Sequence, residues 1–236
     1  MRLDGRVTAV RETTTLVFDV LGTLLDEDAG QLRAVEDVLA DGDAAGFLQR
    51  WQDAFHGAVT QVQDGRRPYA SSEALHAEAV SSVADDLGVG LTDGQVERLA
   101  TFGRRLEPFP EVVATLGELS RSEALVALTN AGTAQAFAMS AHAGLRWTTL
   151  VSGETVRAFK PDPRMYQHAL STLDLDPAGC LFVAAHPWDL DAAARHGFGT
   201  GYLDRAGSTV EALAELARRF DLVATDLAGL ADQLAR

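Results

Sequence analysis

Apolar and polar positions follow two different rhythms along this chain. Leu16, Val17 and Phe18 run together into Asp19, and Gly22 follows three positions later. A short continuous apolar run bounded by turn residues reads as a buried strand, here over residues 14–20. A carboxylate at the end of such a strand stands at the mouth of a parallel sheet, where ligand crevices form. From Asp26 to Leu106 the period lengthens. Phe47, Leu48, Trp51, Phe55 and Val59 recur at three- and four-residue steps, which marks a helix with one apolar face. Ser71-Ser72-Glu73 and Asp93-Gly94-Gln95 predict two further helix starts, separated from the first helix by the breaker-rich loop Asp64-Gly65-Arg66-Arg67-Pro68. Glu107-Pro108-Phe109-Pro110 closes the helical block, with Pro110 suited to the first turn of a helix over 111–120.

The rhythm then changes again. Strands are predicted at Ala124–Asn130, Thr148–Ser152 and Cys180–Ala185, and weaker ones at Gly199–Leu203 and Leu222–Ala224. Helices are predicted near 133–143, near 162–173 and from Asp189 to His196, the last ended by Gly197. Strands alternating with helices predict an α/β fold with a parallel, doubly wound sheet. The earlier helical block is then an insertion. Residues 1–25 and 107–236 form the sheet domain, and residues 26–106 form a helical cap over it.

Composition sharpens this mainly by exclusion. At 236 residues the chain can bury a sizeable core in one large or two small domains. No apolar run approaches a membrane span, and Met1–Arg6 lacks the apolar segment of a secretory signal. The single cysteine, Cys180, excludes an internal disulfide and fits a reducing cytoplasm; it opens an apolar strand and reads as an inert buried thiol. A formal charge of −14 argues against sequence-independent nucleic-acid binding, which needs a basic surface. It does not argue against a small substrate, because an acidic exterior can enclose a local cationic site.

Four polar stations fall at the carboxyl ends of the predicted strands: Asp19, Thr129-Asn130, Lys160 and Asp189. In a parallel sheet those ends share one edge, so the four converge. An aspartate facing a lysine, two small hydrogen-bonding side chains and a second carboxylate suits nucleophilic displacement through an ester intermediate. Lys160 holds Asp19 ionised, Thr129 and Asn130 orient the carboxylate or the leaving group, and Asp189 fixes Lys160 and positions the hydrolytic water.

At these residues the chain resembles the haloacid dehalogenase superfamily over nearly its whole length. The matching segments are Asp19-Val20-Leu21-Gly22-Thr23-Leu24, Leu128-Thr129-Asn130-Ala131-Gly132, Lys160-Pro161-Asp162-Pro163-Arg164-Met165-Tyr166, and Phe182-Val183-Ala184-Ala185-His186-Pro187-Trp188-Asp189. The resemblance implies a Rossmann-like core with a helical cap inserted after the first motif. It makes Asp19 the nucleophile and extends substrate contacts to Val20, Leu21 and Thr23.

Two positions select a branch. Magnesium-dependent phosphatases of the superfamily carry an acid two residues after the nucleophile, and this chain has Leu21 there, which cannot protonate a departing alcohol. They also carry a magnesium-binding acid four residues before the last aspartate, and that place holds Ala185. Halide leaves without protonation. Trp188 and Asp189 resemble the type II 2-haloacid dehalogenases, in which an aromatic residue is common where Leu21 stands. The resemblance implies a small haloacid substrate walled by Leu21 and Trp188, no metal and no cofactor, and is compatible with a homodimer. An atypical phosphatase and a catalytically silent member that binds ligand remain the alternatives.

The departures from that branch are specific. Thr129 stands where serine is usual, and Ala184, Ala185 and His186 replace serines and an asparagine. His186 is a water-orienting group, a carboxylate contact or simply a histidine hydrogen-bonded in its loop. The branch uses a cap arginine to hold the substrate carboxylate or the halide. Here the segment reads Phe47-Leu48-Gln49-Arg50-Trp51-Gln52, with Gln52 at the expected arginine position and Arg50 two residues before it. Those two side chains differ by roughly 200° around a helix, so only one of them can face the site. His56, His76, His142, His168 and His196 have no partner spacing and read as core or surface residues. Asp162 reads as a helix cap, and Asp26 and Asp28 as part of the hinge.

Overall fold

The computed structural model describes residues 13–39 and 42–235. Met1–Arg6, read above as lacking a secretory signal, lies outside the described residues, as does the rest of 1–12 in the predicted sheet domain. Within the described residues six strands form one parallel sheet: β1 (Thr15–Phe18), β2 (Ala124–Thr129), β3 (Thr149–Ser152), β4 (Cys180–Ala184), β5 (Gly199–Leu203) and β6 (Leu222–Ala224), in the order β3-β2-β1-β4-β5-β6. The order runs outward from β1 on both sides. The topological switch therefore lies between β1 and β4, and Asp19 follows β1 directly at that point.

β1 is short, but every residue in it is buried, because it is paired on both edges and covered on both faces. Its alternation divides the core. Leu16 and Phe18 pack with Leu125, Ala127, Leu181 and Val183 on one face, while Val17 packs with Val126, Leu128 and Phe182 on the other.

After β1 come α1 (Glu27–Val38), α2 (Ala44–Gln63), α3 (Ser72–Leu87), α4 (Asp93–Ala100) and a 3-10 turn (Phe102–Arg105). Each helix has a side-chain cap: Asp26 accepts from Ala29 N, Asp43 from Gly46 N and Ser71 from Ala74 N, and Thr92 with Gln95 forms a reciprocal capping box. The fourth start is thus capped by Thr92, one residue before the predicted Asp93. The apolar stripe of α2 is anchored by Phe47 and Trp51, both fully buried; Trp51 meets His76 of α3 and Phe102 edge-on. These side chains share one apolar cluster with Leu16 and Phe18, so the helical block and that face of the sheet have a common core.

The remaining helices are α5 (Val112–Leu119), α6 (Thr133–Ala143), the one-turn α7 (Gly153–Val156), α8 (Pro163–Thr172), α9 (Pro187–Arg195), α10 (Val210–Arg219) and α11 (Leu227–Leu234). Several differ from the sequence reading, and α9 begins at Pro187, two residues before the predicted Asp189. α5 begins at Val112, so Pro110 precedes it rather than sitting in its first turn. α7, α10 and α11 are not among the predicted helices. α10 is amphipathic, with Val210, Leu213 and Leu216 three residues apart, but it is short and buries none of its residues, and α11 is also short. Asp162 caps α8 as expected, accepting from Arg164 N at 2.9 Å. Cys180 is buried, which pushes its thiol up to about 11 and leaves it inert.

Candidate active site

The site is built on the turn that follows β1. Asp19 N donates to Val183 O at 3.0 Å, extending the ladder by one residue, and the chain then folds back. The Val20 carbonyl accepts from Thr23 N, Leu24 N and Leu25 N, and Gly22 adopts φ +71°, a conformation that costs glycine nothing. Val20 is fully buried in this turn and lies outside the cavity lining. Thr23 does more. Its hydroxyl donates to Asp19 Oδ2 at 2.7 Å and accepts from Ala185 N at 2.9 Å, tying the β1 turn to the end of β4.

Both oxygens of Asp19 are engaged. Lys160 Nζ donates to Oδ1 at 2.7 Å, while Thr23 and His186 Nδ1, the latter at 3.0 Å, serve Oδ2. Lys160 is not at a strand end. It lies in the loop between α7 and α8, where Asn130 Oδ1 accepts from its backbone N at 2.7 Å and Gln63 of α2 donates to its carbonyl at 2.9 Å. Its ammonium also donates to Asp189 Oδ2 at 2.6 Å, and the Tyr166 hydroxyl donates to the other oxygen of Asp189. Asp189 sits in the first turn of α9, not on the strand, and is completely buried.

Burial alone would raise the Asp19 carboxyl, but the Lys160 charge and then the His186 contact outweigh it and hold it well below the usual range. Burial likewise works against the Lys160 ammonium, yet the charges of Asp189 and Asp19 keep its pKa raised. Burial also lowers the His186 pKa, and the hydrogen bond and charge of Asp19 reverse that, so the imidazole is raised overall. Because an ionised Asp19 only accepts, His186 Nδ1 is the donor. Asp189 is pushed up by burial and by the neighbouring Asp19 charge, against the pull of Lys160.

Asp19, Asn130, Lys160 and His186 face a cavity of about 410 Å³. Leu21, Phe159 and Trp188 give it apolar wall, Trp188 being 43% exposed at the rim. From above, α2 contributes Phe55, His56, Val59, Thr60 and Gln63, α3 contributes Ser72 and His76, and α1 contributes Glu27. Thr129 and Asp189 do not line it. The Thr129 hydroxyl accepts from Ala131 N at 3.2 Å and so shapes the turn after β2, leaving the hydroxyl contact with Asp19 to Thr23.

Neither cap residue considered for carboxylate binding reaches this cavity. Arg50 is exposed and borders a separate groove with Leu39, Phe47 and Leu87. Gln52 continues the cavity-facing stripe of Phe55, His56 and Val59 one turn beyond the cavity, and its Nε2 donates to Gln31 Oε1 at 2.9 Å.

Several cavity groups have no role in the sequence reading. His56 and His76 were assigned to core or surface, but both line the cavity; Ser72 and His76, four residues apart on α3, share a face, and that spacing was the available signal. His76 is stacked on Phe55 at 3.7 Å, its Nδ1 has no partner, and burial pushes its pKa down to about 3, so it is neutral. Glu27 follows the cap residue Asp26, and burial pushes its carboxyl up to about 7.

The haloacid dehalogenase-like hydrolase family model matches residues 13–197. The chain belongs to this family. It is 30% identical over 203 residues to the (S)-2-haloacid dehalogenase of Pseudomonas sp. (strain YL), covering 85% of this chain and 86% of that one. A solved L-2-haloacid dehalogenase superposes with TM-score 0.86 at 31% identity, covering 94% of this chain and 99% of the other. A solved defluorinating L-2-haloacid dehalogenase also gives TM-score 0.86, at 28% identity, covering 95% and 96%.

Within this family of hydrolases the donor set here does not fit magnesium. Asp19 and Asp189 each give an oxygen to Lys160, and Leu21 and Ala185 bring no side-chain oxygen. Among the described residues no group of three or more His, Cys, Asp or Glu side chains is arranged to hold a metal ion. Nor is any helix among them long and apolar enough to cross a membrane.

Proposed function

We propose that this hydrolase releases halide from short 2-haloalkanoic acids, with Asp19 as nucleophile, an Asp19 ester as intermediate and no metal. The observation that carries the reading is the Lys160–Asp19 pair at 2.7 Å, facing a cavity walled by Leu21, Phe159 and Trp188. Lys160 keeps Asp19 ionised, and the apolar wall keeps bulk water from solvating the carboxylate. The Asp19 oxygen attacks the halogen-bearing carbon, a C–O bond forms, the carbon–halogen bond breaks, and the halide departs with its electron pair. Water then cleaves the ester to give a 2-hydroxy acid. Because its Oδ1 is taken by Lys160 N, Asn130 presents its Nδ2 to the substrate carboxylate or the leaving halide.

Residues 26–106 act as the cap domain on the core of residues 1–25 and 107–236, and the buried thiol of Cys180 suits work in the cytoplasm. The test is halide release from chloroacetate, fluoroacetate and 2-chloropropionate, with chelator present and Asp19→Asn as control. Release by the wild type and none by the variant supports the proposal. No release by the wild type from any of the three overturns it.

A second reading, a member that binds ligand without turnover, has one observation in its favour: among the described residues no arginine lines the cavity. Ligand binding to the wild type without halide release would favour it.

A further inference from the structure

We infer that His186, rather than Asp189, is the base that activates water for hydrolysis of the Asp19 ester, with Glu27 as the group that exchanges its proton. The inference rests on the reading of Asp19 as an ester-forming nucleophile. It starts from what the two candidate bases touch. Asp189 is fully buried, accepts from Lys160 Nζ and the Tyr166 hydroxyl, and lies outside the cavity lining. A water in the cavity cannot reach it. His186 lines the cavity, and its Nδ1 lies 3.0 Å from Asp19 Oδ2, an oxygen of the reacting carboxylate.

A second carboxylate, that of Glu27, acts on the ring at longer range, with no hydrogen bond between them. A Cβ placed on Gly22 would lie 3.3 Å from His186 Nε2 and 3.7 Å from Glu27 Oε2, so both groups border the same space above that glycine. Gly22 keeps the space open by lacking a side chain. The result is a row, Asp19–His186–Glu27, that leads from the reacting carboxylate to a group able to hold or release a proton near neutrality.

Alkylation of Asp19 switches the imidazole. In the resting site the hydrogen bond and charge of Asp19 favour the protonated imidazole, against its burial and against Lys160. Once Asp19 is an ester that charge is gone, while burial and the Lys160 ammonium remain. His186 then loses its proton through the Glu27 carboxylate and becomes a neutral base beside the ester carbonyl. It takes one proton from the attacking water as the water oxygen bonds to Asp19 Cγ. The tetrahedral adduct collapses by breaking the bond between Cγ and the substrate-bound oxygen, and the departing alkoxide takes the proton back from His186. The second water proton passes from the new Asp19 carboxyl to His186 and restores the imidazolium, so the proton that left earlier through Glu27 is the one released to solvent. One water is consumed and one proton released for each halide.

The groups facing the imidazole are Asp19 from the β1 turn, Lys160 from the loop before α8, Glu27 from α1 and, on its own helix, Trp188 at 5.5 Å between ring centroids. Glu27 in turn feels Asp28 beside it.

The experiment compares wild type, His186→Asn, His186→Gln and Glu27→Gln with chloroacetate under rapid quench, measuring halide per chain and intact protein mass. The wild type turns over without accumulating adduct. Both His186 variants release about one halide per chain in a burst, carry the mass of a carboxymethyl ester, and turn over roughly 100- to 10,000-fold more slowly. Added imidazole restores part of that turnover. Glu27→Gln shifts the pH profile of the slow step and leaves the burst intact. Turnover by the His186 variants at the wild-type rate, or burst and turnover lost together with no adduct, overturns the assignment to His186. An unchanged pH profile in Glu27→Gln overturns the role of Glu27. Failure of the underlying dehalogenase reading shows separately, as a wild type that releases no halide.

Discussion

Lys160 Nζ stands 2.7 Å from Asp19 Oδ1, and both side chains are almost wholly withdrawn from solvent. The same ammonium lies 2.6 Å from Asp189 Oδ2, so one cation serves two buried carboxylates. Removing it leaves Asp189 without a cationic partner and Asp19 with His186 alone. Lys160→Met is expected to lower stability at neutral pH by about 3–5 kcal/mol, with the loss shrinking in acid as the carboxylates protonate. Halide release should fall at least about 1,000-fold even where the variant is folded. Urea unfolding at several pH values, alongside halide assays on folded protein, checks both; a variant as stable as wild type at neutral pH would contradict the shared-cation account.

Thr23 is the second tie on the nucleophile. Its hydroxyl holds Asp19 Oδ2 on one side and Ala185 N on the other. Thr23→Val keeps the shape and removes both bonds, leaving an amide without its partner. The expected cost is roughly 1–3 kcal/mol of stability and about tenfold or more in turnover. Thr129→Val, at a hydroxyl that accepts from Ala131 N in the turn after β2, should lower turnover less. Steady-state halide release from the two variants decides the ranking.

The cap makes opposite predictions for its two candidate residues. Arg50 borders another groove, so Arg50→Ala should leave kcat/KM for haloacids within about twofold of wild type. Gln52 lies on the cavity-facing stripe one turn past the cavity, bonded to Gln31. An arginine there is long enough to extend toward the site, and Gln52→Arg should lower KM for haloacids by about fivefold or more with little change in kcat. A KM raised by Arg50→Ala, or unchanged in Gln52→Arg, would contradict this placement.

His76 carries a pH signature of its own. Burial pushes its pKa down to about 3, below the ordinary 6.5 of the unfolded chain. Between those values the unfolded chain binds a proton that the native chain refuses, so this group's contribution falls as pH drops from about 6.5 toward about 3. Over that window the loss is roughly 4 kcal/mol. His76→Phe keeps a ring against Phe55 and Trp51 and removes the titration. The difference in unfolding free energy between variant and wild type should therefore grow in the variant's favour on acidification; parallel profiles would contradict it.

Much of this was legible in the sequence because it was carried by local rules. The parallel sheet follows from alternating strand and helix periods, and Asp19, Lys160 and Asp189 converge because parallel strands and their loops end at one edge. Leu21 and Ala185 could be read as absent oxygen donors by position alone. What escaped depends on three-dimensional contact. Thr129 and Thr23 both end a strand or open a turn, and only the folded loops show that Thr23 is the one bonded to Asp19. His56 and His76 look like ordinary helical histidines until α2 and α3 are laid over the sheet edge. Glu27 looks like a first-turn helix residue, and its raised carboxyl comes from burial that no spacing reveals. The α2 register places Arg50 and Gln52, and it is set by Phe47 and Trp51 in the core, which decide where the helix face ends.

The covalent role of Asp19 is tested most directly by one turnover in heavy-oxygen water, with enzyme in excess over 2-chloropropionate. Mass analysis of the peptide containing Asp19 and of the hydroxy acid then locates the label. Attack by Asp19 followed by ester hydrolysis predicts an unlabelled product and one heavy oxygen in the Asp19 carboxylate. Heavy oxygen in the product hydroxyl after that first turnover, with Asp19 unlabelled, would mean that water attacks the substrate directly and that Asp19 is not the nucleophile.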